Sequence, residues 1–221
     1  MVLTNISVRR KHLTALRFSE DYLPIGAEKS DDGCLLIDSD CCVQKNLKCG
    51  QSFNEQEIDE LSLESQKLRA KSKALWLLSR RDYSSGELQK KLKEKFTCEA
   101  ADYAVCRMVE LGLVNDLVYA KRLAEMLINV KGVAPRQAPH LMAQKGVELS
   151  LAKEVVSERE DDPRETIKRL IETKYARKLN EPRGTEKVFA ALQRKGFGFA
   201  DIRAVLELVD VDFTDEYEIG E

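Results

Sequence analysis

The sequence predicts a mainly α-helical protein of three tandem three-helix repeats in an elongated curved array, preceded by a small β-containing N-terminal extension. Three observations support this fold class. Apolar positions recur every 50 residues, helix start and stop signals divide each period into three segments, and 33% of residues are charged but only 6% aromatic. Such repeats cannot bury their apolar faces alone, so we expect them to stack.

The 50-residue period appears at four sets of equivalent positions. Three sets are apolar and one is basic, and the apolar residues of the second helix lie four apart, on one helix face. The sets are Leu88, Ala138 and Val188; Leu92, Met142 and Leu192; Lys95, Lys145 and Lys195; and Val105, Val155 and Val205. Gly146 and Gly196 follow the second and third lysines.

The period divides the chain into five segments. They are an N-terminal extension with a charged lead-in at 1–65, repeats at 66–114, 115–161 and 162–209, and an acidic tail at 210–221. The 43% content of apolar residues is enough for a core, which should be mainly aliphatic.

The first repeat is predicted to contain helices over residues 66–80, from 84 through Leu92, and over 98–110. Ser84 and Glu87 have the spacing of a capping box, in which the hydroxyl and carboxylate bind free backbone N–H groups. Tyr83 and Leu88 have the spacing of a hydrophobic staple. Gly112 suits the left-handed position that ends a helix.

The apolar residues of the first helix of this repeat, Leu75, Trp76 and Leu78, are predicted to lie in the core. Two cysteines of the third helix, Cys98 and Cys106, are also interpreted as packing residues. Both predictions assign these side chains a structural role.

The second repeat is predicted to begin at Asn115, a favourable N-cap residue. Pro135 should lie in the first turn of its second helix, where the missing N–H has no partner to lose. Gly146 should end that helix, and Ser150 should cap the third.

The third repeat opens with Asp162, Pro163 and Glu165, a cap, a first-turn proline and a capping-box acid. Its first helix should reach about residue 179. Pro182 and Gly184 then separate it from helices over 185–195 and 200–209.

The N-terminal extension contains two β-like pieces, 12–19 and 34–38, between glycine-rich turns, and Asn54 and Glu57 mark a helix start. Four cysteines are spaced as Cys34, Cys41, Cys42 and Cys49. Structural zinc sites usually use cysteine pairs two to four residues apart, and adjacent cysteines on a strand point to opposite faces. Reduced, partly buried thiols are therefore favoured over a zinc site.

Charge is distributed unevenly along the chain. Residues 1–65 carry 7 basic and 12 acidic side chains. Residues 66–209 carry 29 basic and 20 acidic side chains, and residues 210–221 carry six acidic side chains and no basic one. A basic body suits an anionic partner, although Lys-rich solvated helices would give the same balance. The acidic tail could be disordered, mimic DNA, or fold over the basic body.

Twelve basic residues are candidates for contacts to a partner or to DNA phosphates. The alternative is that lysines and arginines near helix C-termini only offset the helix dipole. No aromatic residues are interleaved with these bases in the sequence, so base stacking is not indicated. The candidates are Arg80, Arg81, Lys90, Lys91, Lys93, Lys95, Arg136, Lys145, Arg183, Lys187, Arg194 and Lys195.

Neither a catalytic site nor a cofactor is predicted. His12 and His140 are the only histidines, and no phosphate-binding loop or nucleophile elbow occurs. No apolar run approaches the about 20 residues that span a bilayer, and no apolar segment follows the basic residues near the N-terminus. We therefore expect a cytoplasmic, monomeric protein without a membrane partner, with reduced cysteines.

The ordered set of motifs resembles the RecX family. The segment ALWLLSRRDYSSGELQKKL at 74–92 is similar to that family's first-repeat signature, and LGLVNDLVYA at 111–120 to its link between repeats. Lys145-Gly146-Val147 resembles its Lys-Gly-Ile step, and 47–61 is similar to the segment before the repeats in members with a β extension. Two departures are Phe96 after Lys95, where glycine is usual, and Ala134-Pro135.

The resemblance implies a regulator that binds in the helical groove of a RecA–DNA filament. Such binding would block filament extension, ATP turnover, strand exchange and co-protease action. A repeat array can span adjacent subunits of a helical polymer. Direct DNA binding by helix-turn-helix-like repeats and a plain helical scaffold remain the alternatives; the first of these would be steeply salt-dependent and need no recombinase.

Overall fold

The computed structural model describes residues 1–9 and 12–209. It contains two compact units, one ending at Asn115 and the next beginning at Asp116. The acidic tail at 210–221, for which disorder, DNA mimicry and autoinhibition were considered, lies outside the described residues. The first unit holds a small sheet and the first repeat, and the second unit holds the other two repeats.

A three-stranded antiparallel sheet opens the first unit. Its strands, in spatial order, are β1 (Leu3–Val8), β2 (Leu13–Phe18) and β3 (Leu35–Asp38), followed by the short helix α1 (Ser39–Gln44). Two strands lie where the sequence predicted them, but β1 was missed. Its pairing with β2 shifts register between Leu3 and Asn5, and this irregularity disrupts the period-two alternation by which a strand is recognised.

The interpretation of Cys41 and Cys42 as strand neighbours is wrong, because both lie in α1. The Asp38 side chain caps this helix by accepting from the backbone N–H of Asp40 at 2.9 Å. Cys41 is buried against the sheet, whereas Cys42 is only partly buried.

A long helix, α2 (Glu55–Leu78), links the sheet to the first repeat. The sequence predicted its start near residue 66, but the charged lead-in forms the first half of the same helix. Asn54 and Glu57 make the predicted capping box, with hydrogen bonds of 2.8 and 2.9 Å. Ile58 and Leu61 pack on the sheet, and the Ser65 hydroxyl accepts from the Asp38 N–H at 2.7 Å.

The first repeat is completed by α3 (Ser85–Lys93) and α4 (Cys98–Glu110). The predicted Ser84 cap is present, with its hydroxyl 3.1 Å from the Glu87 nitrogen. Leu88 belongs to the core cluster that also holds Ala70, Ala74 and Leu77 of α2, and the partly buried Tyr83 packs against this cluster. Gly112 has φ +69°, the predicted left-handed position after α4.

The second repeat contains α5 (Asp116–Glu125), a π-helical turn (Met126–Val130), α6 (Ala138–Gln144) and α7 (Leu149–Ser157). The prediction for Pro135 is wrong, because it lies in a turn before α6, whose first turn holds Pro139 instead. Ser150 is not the cap of α7 either. It lies inside the first turn, and its hydroxyl donates to Glu148 at 2.6 Å.

The third repeat contains α8 (Pro163–Leu170), a π-helical turn (Ile171–Tyr175) and α9 (Ala176–Leu179), then α10 (Gly184–Arg194) and α11 (Phe199–Leu208). We call the stretch from α8 through α9 the 163–179 helix. Asp162 caps it as predicted, accepting from the Arg164 N–H at 2.8 Å. The predicted break lies at residues 180–183, and α10 begins at Gly184, one residue before the predicted start.

The equivalent apolar positions form the cores of the repeats. Leu92, Met142 and Leu192 are fully buried, each in the core cluster of its own repeat, and so are Leu88, Ala138 and Val188. The glycines that follow the second and third lysines of the period have φ +78° and +89°. The repeat deduced from the sequence therefore corresponds to a repeated structural unit.

Candidate partner-binding surfaces

Three of the basic residues predicted in the first repeat make ion pairs within it. Both terminal nitrogens of Arg81 donate to the Glu87 carboxylate, at 2.7 and 2.9 Å. Lys91 contacts Glu94 at 2.8 Å, and Lys93 contacts Asp102 at 3.2 Å. Exposed pairs contribute only about 0–1 kcal/mol, so they would readily be exchanged for contacts to a partner.

The exposed end of α2 combines a tryptophan with two cations. The Lys73 ammonium lies 3.7 Å and the Arg80 guanidinium 4.4 Å from the centre of the Trp76 ring. Lys73 and Trp76 are three residues apart on one face of α2, and Arg80 lies in the turn that directly follows the helix. We call Lys73, Trp76 and Arg80 the α2 patch.

The α2 patch corrects two expectations from the sequence. Trp76 and Leu75 were predicted to be core residues, but their exposed fractions are 47% and 42%. Aromatic rings do lie among the bases, since Arg81 also stacks 3.7 Å from the Tyr83 ring. Helical spacing of three and four residues, rather than sequence adjacency, was the signal that could have revealed this arrangement.

The prediction for two cysteines of α4 is also wrong. Cys98 and Cys106 are exposed rather than packed in the core. The packing face of α4 is formed by Ala100, Ala104 and Met108, which are fully buried. Because these three recur every four residues, they define the buried stripe and leave the cysteines beside it.

Two of the candidate bases are directed into the junction between the second and third repeats. Arg136 donates to the carbonyls of Gly196 and Phe197, the latter at 3.0 Å. Lys195 donates to the carbonyl of Lys131. Burial, and then the charge of Lys174, lower the pKa of Lys195. These side chains connect the repeats, and a partner could engage them only by breaking those bonds.

The remaining candidates lie at the surface. Arg183, with φ +57°, lies 4.0 Å from Glu186, and Lys187 lies 3.3 Å from Glu181. Within residues 1–9 and 12–209, three others make no ion pair: Lys90, Lys95 and Arg194. Lys145 is exposed at the C-terminal end of α6.

The 163–179 helix carries a basic surface that the sequence analysis missed. It has six basic and two acidic residues, a net charge of +4. Residues 116–209 as a whole have 18 basic and 14 acidic residues, also a net charge of +4, so the helix accounts for the positive charge of this stretch. Four of its exposed cations make no ion pair in the described part of the chain: Lys168, Lys174, Arg177 and Lys178. The 50-residue period gives no signal for it, because these four bases have no basic counterparts in the other repeats.

No group of three metal-ligating side chains is found in the described part of the chain. The six cysteines are free thiols. Burial, and then the charge of Glu64, raise the pKa of Cys41 to about 11, so this thiol is neutral at physiological pH. Among the described residues, no helix has both the length and the apolar character needed to cross a membrane.

These features define a class of protein: a tandem three-helix repeat protein with cationic surfaces in both units. Comparison with known proteins makes this class specific. The family model described as "RecX, first three-helix domain" matches residues 70–108, from the middle of α2 to the last turns of α4.

Relatives extend the match over most of the chain. The regulatory protein RecX of Clostridioides difficile (strain 630) is 32% identical over 181 residues, covering 79% of this chain and 82% of that protein. The regulatory protein RecX of Bacillus subtilis (strain 168) is 25% identical over 220 residues, covering 98% and 80%. The chain therefore belongs to the RecX family of regulatory proteins.

Two solved structures share the fold. A crystal structure of regulatory protein RecX aligns with a TM-score of 0.59 and 22% identity over 93% of this chain and 98% of that one. The structure of RecX from Lactobacillus salivarius aligns with a TM-score of 0.56 and 20% identity, covering 66% of this chain and 98% of that one. The prediction of a mainly helical repeat fold with a small N-terminal sheet is confirmed.

Proposed function

We propose that this protein binds a RecA recombinase filament and restrains its ATP turnover, strand exchange and co-protease action. Membership of the RecX family supports this proposal. The observation that carries it is the 163–179 helix, whose four exposed cations have no carboxylate partner among the described residues. Neighbouring cations without carboxylate partners repel one another, and the binding of an anionic partner would reduce this repulsion.

The α2 patch supplies a second contact of different character. Tryptophan and arginine are the residue types most enriched among those that dominate binding energies. Trp76 is held between two cations, so its ring is already ordered before a partner arrives. Ordering in advance reduces the entropy lost on binding.

Two contact surfaces suit a polymeric partner. A filament repeats the same binding positions along its axis, so that a second contact follows the first at high effective concentration. The protein then acts by occupying the filament, without chemistry of its own. We further propose that it does so as a monomer in the cytoplasm, where the recombinase is found.

The proposal is tested by binding fluorescently labelled protein to preformed RecA filaments on single-stranded DNA. Trp76→Ala and Arg80→Glu should each weaken binding about tenfold or more, since buried aromatic and arginine contacts carry most interface energy. Lys153→Glu is the matched control on α7, an exposed lysine with no ion pair among the described residues, and should bind as the unchanged protein does. Equal affinities for all four proteins would contradict the proposal.

Direct DNA binding is the second candidate function. The aromatic ring between cations in the α2 patch favours it, because bases stack on such rings while phosphates pair with the cations. Binding to bare DNA would fall steeply with salt concentration and would need no recombinase. Tight, salt-sensitive binding to DNA without any effect on the filament would favour this second function.

A further inference from the structure

We propose that the acidic segment 210–221 of this chain binds the 163–179 helix and competes there with the anionic partner. The competition with a partner rests on the proposed function, whereas the contact between the segment and the helix does not. The segment holds six acidic residues and no base. Its carboxylates can therefore pair with the four cations of the helix, which have no carboxylate partner among the described residues.

Charge balance points to this helix rather than to another surface. Residues 1–115 carry 18 basic and 18 acidic side chains, so the first unit is neutral. Residues 116–209 carry a net charge of +4, equal to that of the 163–179 helix alone. The segment has a net charge of −6 and belongs to the same unit as this helix. The helix therefore carries the positive charge that the segment can neutralise within that unit.

The connection between the two is short. Helix α11 (Phe199–Leu208) ends, Val209 follows, and the segment starts at residue 210. Helix α11 packs against α8 through Ile202, Val205 and Leu206. Arg164 in the first turn of α8 contacts Asp201 in the first turn of α11 at 3.4 Å. Twelve residues can extend about 40 Å, more than the about 30 Å width of a compact unit of this size. All four cations are therefore within reach.

The tether determines how strongly such a contact acts. A segment joined to its binding surface is present at an effective concentration of about the millimolar range, so several weak ion pairs are enough to occupy the helix. These contacts are exposed and should be screened as salt is added. An anionic partner must then displace the segment, and its apparent affinity falls by the fraction of time that the helix is covered.

The contact is tested on the full chain by exchanging the six acids for their amides, Asp→Asn and Glu→Gln at positions 210, 212, 215, 216, 218 and 221. Amide signals of residues 163–179 are compared by nuclear magnetic resonance in the two full-length proteins. We expect differences confined to this helix at low salt and absent near ~0.5 M salt. Unchanged signals there, or shifts of equal size around Lys90 and Lys95 in the first unit, would overturn the contact.

Competition is tested by titrating both proteins into an ATP hydrolysis assay of RecA on single-stranded DNA. The neutral-tail protein should inhibit at a concentration about fivefold or more below that of the unchanged chain. Equal inhibition by the two proteins would contradict competition. Absence of inhibition by either, together with the spectral differences, would contradict the proposed function and leave the tail contact standing.

Discussion

Two exposed arginines of the second unit, Arg136 and Arg194, show how differently the same side chain is used. Arg136 donates to carbonyls of Gly196 and Phe197 at the junction between two repeats. Arg194 ends α10 and makes no ion pair in the described chain. Both were candidates for partner contacts, and only their surroundings separate an internal connection from a surface charge.

Arg136→Ala should lower the free energy of unfolding by about 1–3 kcal/mol, because two carbonyls lose a charged donor. Arg194→Ala is the matched control and should change it by less than about 0.5 kcal/mol. Chemical denaturation of the full chain, followed by circular dichroism, measures both. Equal, small effects would mean that the arginine contacts at the junction carry no stability.

Cys41 should make the first unit less stable at alkaline pH. Its pKa is raised to about 11, mainly by burial, whereas in the unfolded chain the thiol ionises near pH 9. Below pH 9 the thiol is neutral in both states and the stability is fully present. As pH rises from 9 to 11, only the unfolded chain loses its proton, so stability is lost by up to about 2–3 kcal/mol.

Cys41→Ala should remove this part of the decline between pH 9 and 11. Cys49→Ala, at an exposed cysteine of the same unit, is the matched control. The measured quantity is the dependence of unfolding free energy on pH, which is insensitive to the constant loss from a smaller core side chain. The same slope in Cys41→Ala and the unchanged protein would contradict the assignment.

Helix α10 depends on close approach of its first residue to the end of the 163–179 helix. A Cβ atom on Gly184 would lie 2.0 Å from the carbonyl oxygen of Lys178 and 2.8 Å from that of Leu179. Both are backbone atoms and cannot move aside as a flexible side chain would. The glycine is required by this contact, whereas the sequence suggested only a break in the chain.

Gly184→Ala should therefore destabilise the second unit by about 3 kcal/mol or more. Gly112→Ala provides the comparison, because Gly112 has φ +69° but open space around its Cβ position. Backbone strain alone should make that change cost about 1–2 kcal/mol. If thermal unfolding showed no larger effect for Gly184→Ala, the close approach would be refuted.

At the scale of elements, local signals predicted what depends on local chemistry. Caps such as Asn54, Ser84 and Asp162 fix helix starts through bonds to nearby N–H groups, so their positions could be deduced. The continuity of α2 from this cap into the first repeat could not be deduced, because the first half of the helix is held by packing of Ile58 and Leu61 on the sheet. The exposure of Trp76 likewise depends on which face of α2 meets α3 and α4.

The basic surface could be predicted only in part for a related reason. Composition identified a basic body, but only the structure shows which bases are paired. Lys91 and Lys93 have carboxylate partners within their own repeat, whereas Lys174 and Arg177 have none among the described residues. Ion pairing depends on side chains from neighbouring helices, and a single sequence does not reveal these neighbours.

At the scale of the whole molecule, we propose that the protein regulates its partner through contacts rather than through catalysis. The predicted elongated, curved stacking of the three repeats remains a prediction, as does the choice between inhibition and stimulation. Binding to a filament through exposed cations should weaken with salt, since the Debye length falls from about 10 Å at 0.1 M to about 3 Å at 1 M. The 163–179 helix and the α2 patch make this dependence testable at named residues.

The most direct measurement is ATP hydrolysis by RecA on single-stranded DNA at physiological salt, titrated with this protein. We predict inhibition at amounts well below one molecule per filament subunit. A full-length variant with Lys174→Ser, Arg177→Ser and Lys178→Ser should need about tenfold more protein, while Lys153→Ser should inhibit normally. Unchanged ATP hydrolysis at every concentration, alongside tight and salt-sensitive binding to bare DNA, would contradict the account.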